Sequence, residues 1–177
     1  MVIEKIVTDR LFLENLDPNN FEDAYLDWLN DEETIKFLEV ERILYTRDIL
    51  MDYIKEMNDS RNNLLVGIFE KKSSLHVGNI KLGNISDKDK NGDIGILIGS
   101  KSHRGLNYGA EAISALSDCA HKVLGLHRVW SKCHETNLAS CKAFERAGFK
   151  LEGSLRETSF LDGSWVNGSI YGRVFKP

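Results

Sequence analysis

A chain of 177 residues, 42% hydrophobic and 28% charged, has the apolar mass for one core and reads as one folded unit over residues 1–177, which excludes disordered and fibrous classes. Its net charge of −4 supplies no pull toward a nucleic-acid backbone, so no nucleic-acid partner is expected. Cys119, Cys133 and Cys141 lack paired spacing, no secretory signal opens the chain, no apolar run nears the roughly 20 residues that cross a bilayer, and the histidines show no metal-ligand spacing; the expectation is a cytoplasmic protein with reduced thiols, no metal and no membrane.

Arg10 to Asn15, with Leu11 and Leu13 in alternation, predicts a half-buried strand. Asp17-Pro18 predicts the cap and first turn of a helix along which Phe21, Tyr25, Trp28 and Leu29 recur at helical spacing. Thr46 is the next cap, for a helix striped by Ile49, Leu50, Tyr53, Ile54 and Met57 that ends in the polar stretch 58–63. The loop between these helices is acidic. Leu64–Phe69, Leu75–Ile85 and Asp93–Gly99, with Asn91-Gly92 as a turn signal, predict an antiparallel meander. Leu106, Ala110, Ile113, Leu116, Ala120 and Leu124 predict a long helix stopped by Gly125. His127–His134 reads as a strand. Asn137 then caps a helix carrying Leu138, Cys141 and Phe144, with Gly148 just past its end. Two last strands, near Lys150–Leu161 and Trp165–Phe175, meet at the turn Asp162-Gly163.

The order strand, helix, helix, three strands, helix, strand, helix, two strands defines an α+β fold: a mixed, mainly antiparallel sheet with helices on both faces. The strands either side of the long helix are expected to be parallel, because a crossover helix joins them. Ligands favour crevices at strand C-terminal ends beside helix N-termini, which directs attention to residues 100–109. Gly105 and Gly109 let main-chain N–H groups approach a ligand, the helix end contributes about half a positive charge, and Arg104 and Lys101 add full ones. A diphosphate suits that corner; a turn with no ligand is the alternative reading. Neither GxGxxG after a first strand nor GxxxxGK[ST] occurs, against dinucleotide enzymes and nucleoside triphosphatases.

Arg104-Gly-Leu-Asn107-Tyr-Gly109 resembles motif A of the GNAT N-acetyltransferases, in which an Arg or Gln, a Gly three residues on and a Gly or Ala two further wrap the coenzyme A pyrophosphate. Asn107 stands where the family usually has glycine, and Asn is the non-glycine residue best able to take a left-handed backbone. Asn137-Leu-Ala-Ser140 with Phe144-Glu-Arg-Ala-Gly148-Phe149 resembles motif B, and the element order matches the family fold from end to end. Thr8-Asp-Arg-Leu, Gly148-Phe-Lys-Leu-Glu-Gly-Ser-Leu-Arg156 and Asp162-Gly163 resemble the RimJ/RimL-type branch. Its members act on ribosomal-protein N-termini, antibiotics, polyamines and nucleotide-linked amino sugars.

The resemblance implies acetyl-CoA as acyl donor and direct transfer to a primary amine. It assigns the pantetheine arm to the main chain of Leu97, Ile98 and Gly99, the pyrophosphate to Arg104, Gly105, Leu106, Asn107, Tyr108 and Gly109, and a further contact to Asn137. Phe144 stands where many members place a proton-donating tyrosine; Ser140, one turn earlier, is the replacement donor or simply part of the helix cap. Ser159 stands where protein-acetylating members carry a glutamate. Glu157, two residues earlier and on the same strand face, Asp93, His134 or a water chain are the alternative bases. Asp31-Glu32-Glu33 with Glu39 and Glu41 is either an attractor of a cationic amine or a solvated loop. The expected acceptor is a small amine, nucleotide-linked amino sugars being favoured. A protein N-terminus and a non-catalytic acyl-CoA-binding role are the alternatives, and a homodimer is compatible with all of them.

Overall fold

The computed structural model describes residues 1–176. Its strands are β1 (Ile6–Val7), β2 (Leu11–Asn15), β3 (Leu64–Glu70), β4 (His76–Ser86), β5 (Asn91–Ile98), β6 (Arg128–His134), β7 (Lys150–Leu161) and β8 (Ser164–Val174). The helices are α1 (Asp23–Asn30), α2 (Glu32–Ile35), α3 (Arg47–Asp59), α4 (Tyr108–Lys122) and α5 (Leu138–Arg146). The strands form one eight-stranded sheet in the order β1-β2-β3-β4-β5-β6-β8-β7. Among the described residues only β5 and β6 run parallel; every other neighbouring pair is antiparallel. No helix among the described residues is long and apolar enough to cross a membrane.

Alternation along the strands loads both faces. Leu64, Val66 and Ile68 of β3 join Ile80, Leu82, Ile94 and Val129 in a core closed by Ile113 and Leu116 of α4 and Phe144 of α5. Leu65 and Phe69 point the other way, into a second core with Tyr25, Trp28 and Leu29 of α1 and Leu50, Ile54 and Met57 of α3. Each of these fully buried aliphatic side chains contributes about 1.5–3 kcal/mol. Thr46 caps α3 by accepting from the Ile49 N–H at 3.4 Å. Gly125, Gly148 and the hairpin pair Asp162-Gly163 all adopt positive φ, which is why the chain stops or reverses at each.

Several sequence expectations give way. Asp17 accepts from the Asn19 N–H at 2.8 Å and so closes a local turn, while α1 begins six residues later behind Glu22. The short elements β1 and α2 carry too little periodicity to be seen in sequence. Leu106 lies outside α4 and is exposed, and the buried stripe of that helix is Ala112, Ile113, Leu116, Ser117 and Ala120. Asn91-Gly92 is not the turn: Asn91 pairs with Ser86 and with Arg128, and the chain reverses at 87–90 with Lys90 at φ 49°. The Lys90 carbonyl accepts from the N–H groups of His127 and Arg128, so pairing with β6 draws the Asn-Gly pair into the strand.

His76 is 4% exposed, packed against Tyr25, Trp28 and Phe69. Its Nε2 meets the Asn79 Oδ1 at 3.0 Å and its Nδ1 has no partner. Burial lowers its pKa below the ordinary 6.5, against the raising effect of Asn79. The unfolded chain therefore takes up the proton first as pH falls through 6.5, and stability present above that pH is lost below it. Melting temperature should fall from about pH 7 to about pH 5, with His76 adding at most about 1.4 kcal/mol per pH unit. His76→Gln should flatten that slope; identical slopes in both proteins would exclude His76 as its source.

Candidate active site

The parallel ladder between β5 and β6 has three pairs, Asn91↔Arg128, Gly92↔Val129 and Asp93↔Trp130, and then the strands part. At the point of parting, the buried Ser131 hydroxyl donates to the Ile94 carbonyl at 2.7 Å, which shows that the main-chain groups of Ile94 face the gap. Strand alternation puts those of Ile96 and Ile98 on the same open edge. Those of Leu97 and Gly99 turn to β4: Leu97 pairs with Asn79, and the Gly99 N–H donates to the Val77 carbonyl at 3.1 Å. Of the three residues expected to offer main-chain groups to the gap, Leu97 and Gly99 are corrected, because their N–H side is turned to β4, and Ile98 faces the gap together with Ile96, which period-two reading from Ile98 identifies.

At the C-terminal end of β5 the chain enters a short helical turn, Lys101–His103, then Gly105 at φ 78° and Asn107 at φ 64°. Asn107 thus adopts the left-handed backbone expected of it. The first intrahelical bond of α4 runs from the Glu111 N–H to the Asn107 carbonyl at 3.2 Å, so the N–H groups of Tyr108, Gly109 and Ala110 open from the helix end. A Cβ placed on Gly109 meets Ala143, Ile96 and Ile98 at 3.8–3.9 Å, ordinary contact distance, so this position accepts alanine as well as glycine.

The nearby charges are arranged differently from expectation. Lys101 is held by Asp31 and Glu33, each at 3.0 Å, and so faces the α2 side rather than standing free at the loop. Arg104 donates from Nε to the Ile98 carbonyl at 3.0 Å and from a terminal nitrogen to the Thr34 hydroxyl at 2.7 Å, bracing the end of β5. Arg146, from the last turn of α5, donates to the Asn107 side chain and is the cation that sequence reading missed. The Tyr108 hydroxyl donates to Glu70 at 2.6 Å, and that hydrogen bond raises the phenol pKa. Tyr108 therefore offers the loop its main chain rather than its hydroxyl. Leu106 offers an exposed side chain and a carbonyl that accepts from Arg10 at 2.9 Å.

Below the gap, the Asn137 side chain accepts from the Ser140 N–H at 3.2 Å and caps α5, leaving the Ser140 hydroxyl uncommitted to the cap. Cys133 on β6 and Cys141 on α5 are buried with their sulfurs 3.6 Å apart. Burial and Cys141 push the Cys133 thiol up to about 12, with Ser140 acting in the opposite direction. Phe144 is wholly buried against Phe149 and Tyr171.

Asp93 sits at the last paired position before the strands part and accepts from the Asn84 side chain at 2.7 Å. Glu157 is different. A bulge separates the pairs Leu155↔Gly168 and Ser159↔Val166, and Glu157 lies in it at φ 50°, exposed, with its N–H donating to Asn167 at 3.0 Å. The bulge breaks the period-two alternation, so Glu157 and Ser159 do not share a face by strand geometry. Neither hydrogen bond nor ion pair joins Ser140, Asp93 and Glu157 among the described residues.

On the sheet face opposite α5, residues 36–39 lie against β6 and the β7–β8 turn. Phe37 packs 5.6 Å from the His134 ring, Glu39 pairs with Lys132 at 2.5 Å, and Lys36 pairs with Asp162 at 2.6 Å. Lys101, shared by Asp31 and Glu33, and Lys132, paired with Glu39, offset part of the acidic charge of this loop, and no ion pair among the described residues holds Glu32 or Glu41. His134 has a buried, unpartnered Nδ1, and burial lowers its pKa, keeping the ring neutral.

A helix N-terminus opening at the mouth of a gap between two parted parallel strands is the architecture of an acyl-coenzyme A-dependent acyltransferase. Residues 10–150 match the family model described as the acetyltransferase (GNAT) domain, and the chain belongs to this family of acetyl-CoA-dependent N-acetyltransferases. It is 24% identical over 171 residues, 96% of each chain, to the uncharacterized N-acetyltransferase YoaA of Bacillus subtilis (strain 168). Among solved structures, RimL, a ribosomal L7/L12 alpha-N-protein acetyltransferase in complex with coenzyme A, matches with a TM-score of 0.84 at 18% identity, covering 97% of this chain and 98% of that one. A spermidine N-acetyltransferase from Vibrio cholerae, in complex with CoA and spermine, matches with a TM-score of 0.83 at 18% identity, over 94% and 96%. These two likenesses show the fold.

The geometry separates two glycines beside the gap. A Cβ on Gly78 would lie 2.2 Å from the Leu97 carbonyl oxygen, so Gly78→Ala should destabilise the protein by about 1–3 kcal/mol or more through a backbone clash. Gly109→Ala should stay within about 1 kcal/mol of the parent. Thermal melts compare the two, and equal melting temperatures for both variants would contradict the register at Gly78.

Proposed function

We propose that this chain transfers the acetyl group of acetyl-CoA directly to the primary amine of a small molecule, such as a nucleotide-linked amino sugar. The observation that carries this reading is the parting of β5 and β6 after Asp93 beside the open N-terminus of α4. In it, the N–H groups at the start of α4, with Arg104 and Arg146 alongside, hold the diphosphate. The open edge at Ile96 and Ile98 takes the amide-bearing arm as an added strand would be taken. Acetyl-CoA supplies an activated acyl thioester, and the remaining chemistry is proton movement.

Ser140, oriented by the Asn137 cap, gives the proton that the departing thiolate needs. Asp93, oriented by Asn84 where the strands part, takes the proton released by the amine. The acceptor enters from the opposite face, along Phe37, Lys132 and His134. Lys132 on this path, paired with Glu39, and Lys101, paired with Asp31 and Glu33, offset part of the wall's acidic charge, which supports the sugar-nucleotide class over polyamines.

Purified protein incubated with acetyl-CoA and a panel of amines tests the reading through release of free thiol. Turnover is expected with an amino-sugar nucleotide and not with N-terminal peptides or polyamines. Turnover only with peptides would reassign the acceptor to protein N-termini, and tight donor binding with no thiol release would make the chain a binder. Ser140→Ala should lower kcat about 100-fold while leaving acetyl-CoA affinity nearly unchanged. Asp93→Asn should lower kcat about 100-fold while leaving acetyl-CoA affinity nearly unchanged; an unaltered kcat would take Asp93 out of the mechanism.

A further inference from the structure

The segment Thr8-Asp-Arg-Leu has no part in the chemistry above, yet its side chains converge on the first turn of α4. The Thr8 hydroxyl and the Arg10 N–H both donate to the Glu111 Oε1, at 2.6 and 2.9 Å. The other carboxylate oxygen receives Arg10 through Nε and a terminal nitrogen, both at 2.7 Å. The remaining terminal nitrogen of Arg10 donates to the Leu106 carbonyl at 2.9 Å, and the guanidinium lies 4.8 Å over the Tyr108 ring. Thr8 is itself held by a tight turn with Leu11 and by Lys71, which donates to its carbonyl at 2.9 Å.

We infer that Thr8, Arg10 and Glu111 are positioning residues that fix the loop Gly105–Asn107 in the shape that receives the donor's diphosphate. The inference rests on the proposed placing of that diphosphate. In a trans peptide the carbonyl and the following N–H point oppositely, so binding the Leu106 carbonyl to Arg10 turns the Asn107 N–H away from the clamp. Two left-handed residues, Gly105 and Asn107, flank that peptide and leave it few other restraints. Charge gives a second reason. Glu111 in the first turn suits the helix dipole but repels a diphosphate; the three hydrogen bonds to its carboxylate come from Thr8 and Arg10, and the ion pair with the Arg10 guanidinium offsets its charge. Arg10 and Glu111 touch neither the thioester nor the amine in this arrangement, so their influence runs through the loop.

Two donors separate this role from general stability: acetyl-CoA, and S-acetylpantetheine, which lacks the diphosphate. With an amine that the protein turns over, Arg10→Ala and Glu111→Gln should each raise KM for acetyl-CoA about tenfold, with kcat nearly constant. Kinetics with S-acetylpantetheine should barely change, so the preference for acetyl-CoA shrinks by the same factor. Thr8→Ser, which keeps the hydroxyl, should behave as the parent, and Arg10→Lys, which cannot hold Glu111 and Leu106 together, should not. Calorimetric titration with CoA reads the same loss without any acceptor. Should one variant fail to fold in a thermal melt, the other carries the comparison. A parent protein that uses both donors equally well would defeat the placing of the diphosphate. A parent that prefers acetyl-CoA, with variants that keep the same ratio between donors, would defeat the positioning role alone.

Discussion

Everything at the candidate site depends on how short the contact between β5 and β6 is. Three residue pairs hold the two halves of the sheet together, and after Asp93↔Trp130 the strands diverge. A strand edge inside a protein carries unpaired main-chain groups that demand a partner. Ser131 answers the first of them by donating to Ile94 and Arg104 answers the Ile98 carbonyl, while the groups of Ile96 and the Ile98 N–H are left facing the gap. The sheet thus contains an internal edge, and an extended ligand bearing amides can complete it. Because the connection between the two strands is a crossover through α4, the start of that helix necessarily lies at the wide end of the same gap.

The charged groups near the gap are mostly occupied with the protein itself. Arg104 braces the end of β5, Lys101 is tied to α2 and its flank, Arg146 reaches from α5 to Asn107, and Glu111 is clamped by the turn between β1 and β2. These contacts join the loop 104–109 to four separate elements, so its left-handed residues sit in a framework fixed before any ligand arrives. Preorganised N–H groups bind an anion without first being ordered, which removes one of the costs of association. The acceptor side is built otherwise, from a loop laid over β6 and the β7–β8 turn through side-chain pairs. A wall of that kind changes easily with sequence, in keeping with a family whose fold neighbours include enzymes for a polyamine and for a ribosomal protein.

Much of the fold is legible in the chain because its signals are local. Thr46 and Asn137 cap helices wherever a helix starts, Gly125 and Gly148 end them because they take positive φ, and Asp162-Gly163 reverses a hairpin for the same reason. Asn107 was readable as a left-handed residue because it stands at a motif position usually held by glycine and asparagine tolerates that backbone. The readings that failed were those in which a second element intervened. Asp17 found a closer N–H than that of the helix, Asn91-Gly92 was drawn into a strand by β6, and Glu157 was displaced by a bulge whose existence depends on pairing with β8.

The sequence by itself determined the order of the longer elements and the parallel relation across the crossover, since each follows from turn chemistry, capping and periodicity within a few residues. Only the tertiary structure decided which main-chain groups of β5 face the gap, that Arg146 and not Lys101 stands beside Asn107, that Lys101 and Lys132 pair with Asp31, Glu33 and Glu39 of the acidic loop, and that Thr8 and Arg10 grip Glu111. Those facts turn on register and on partners up to 103 residues apart in the chain, and no local propensity encodes a distance that folding alone closes.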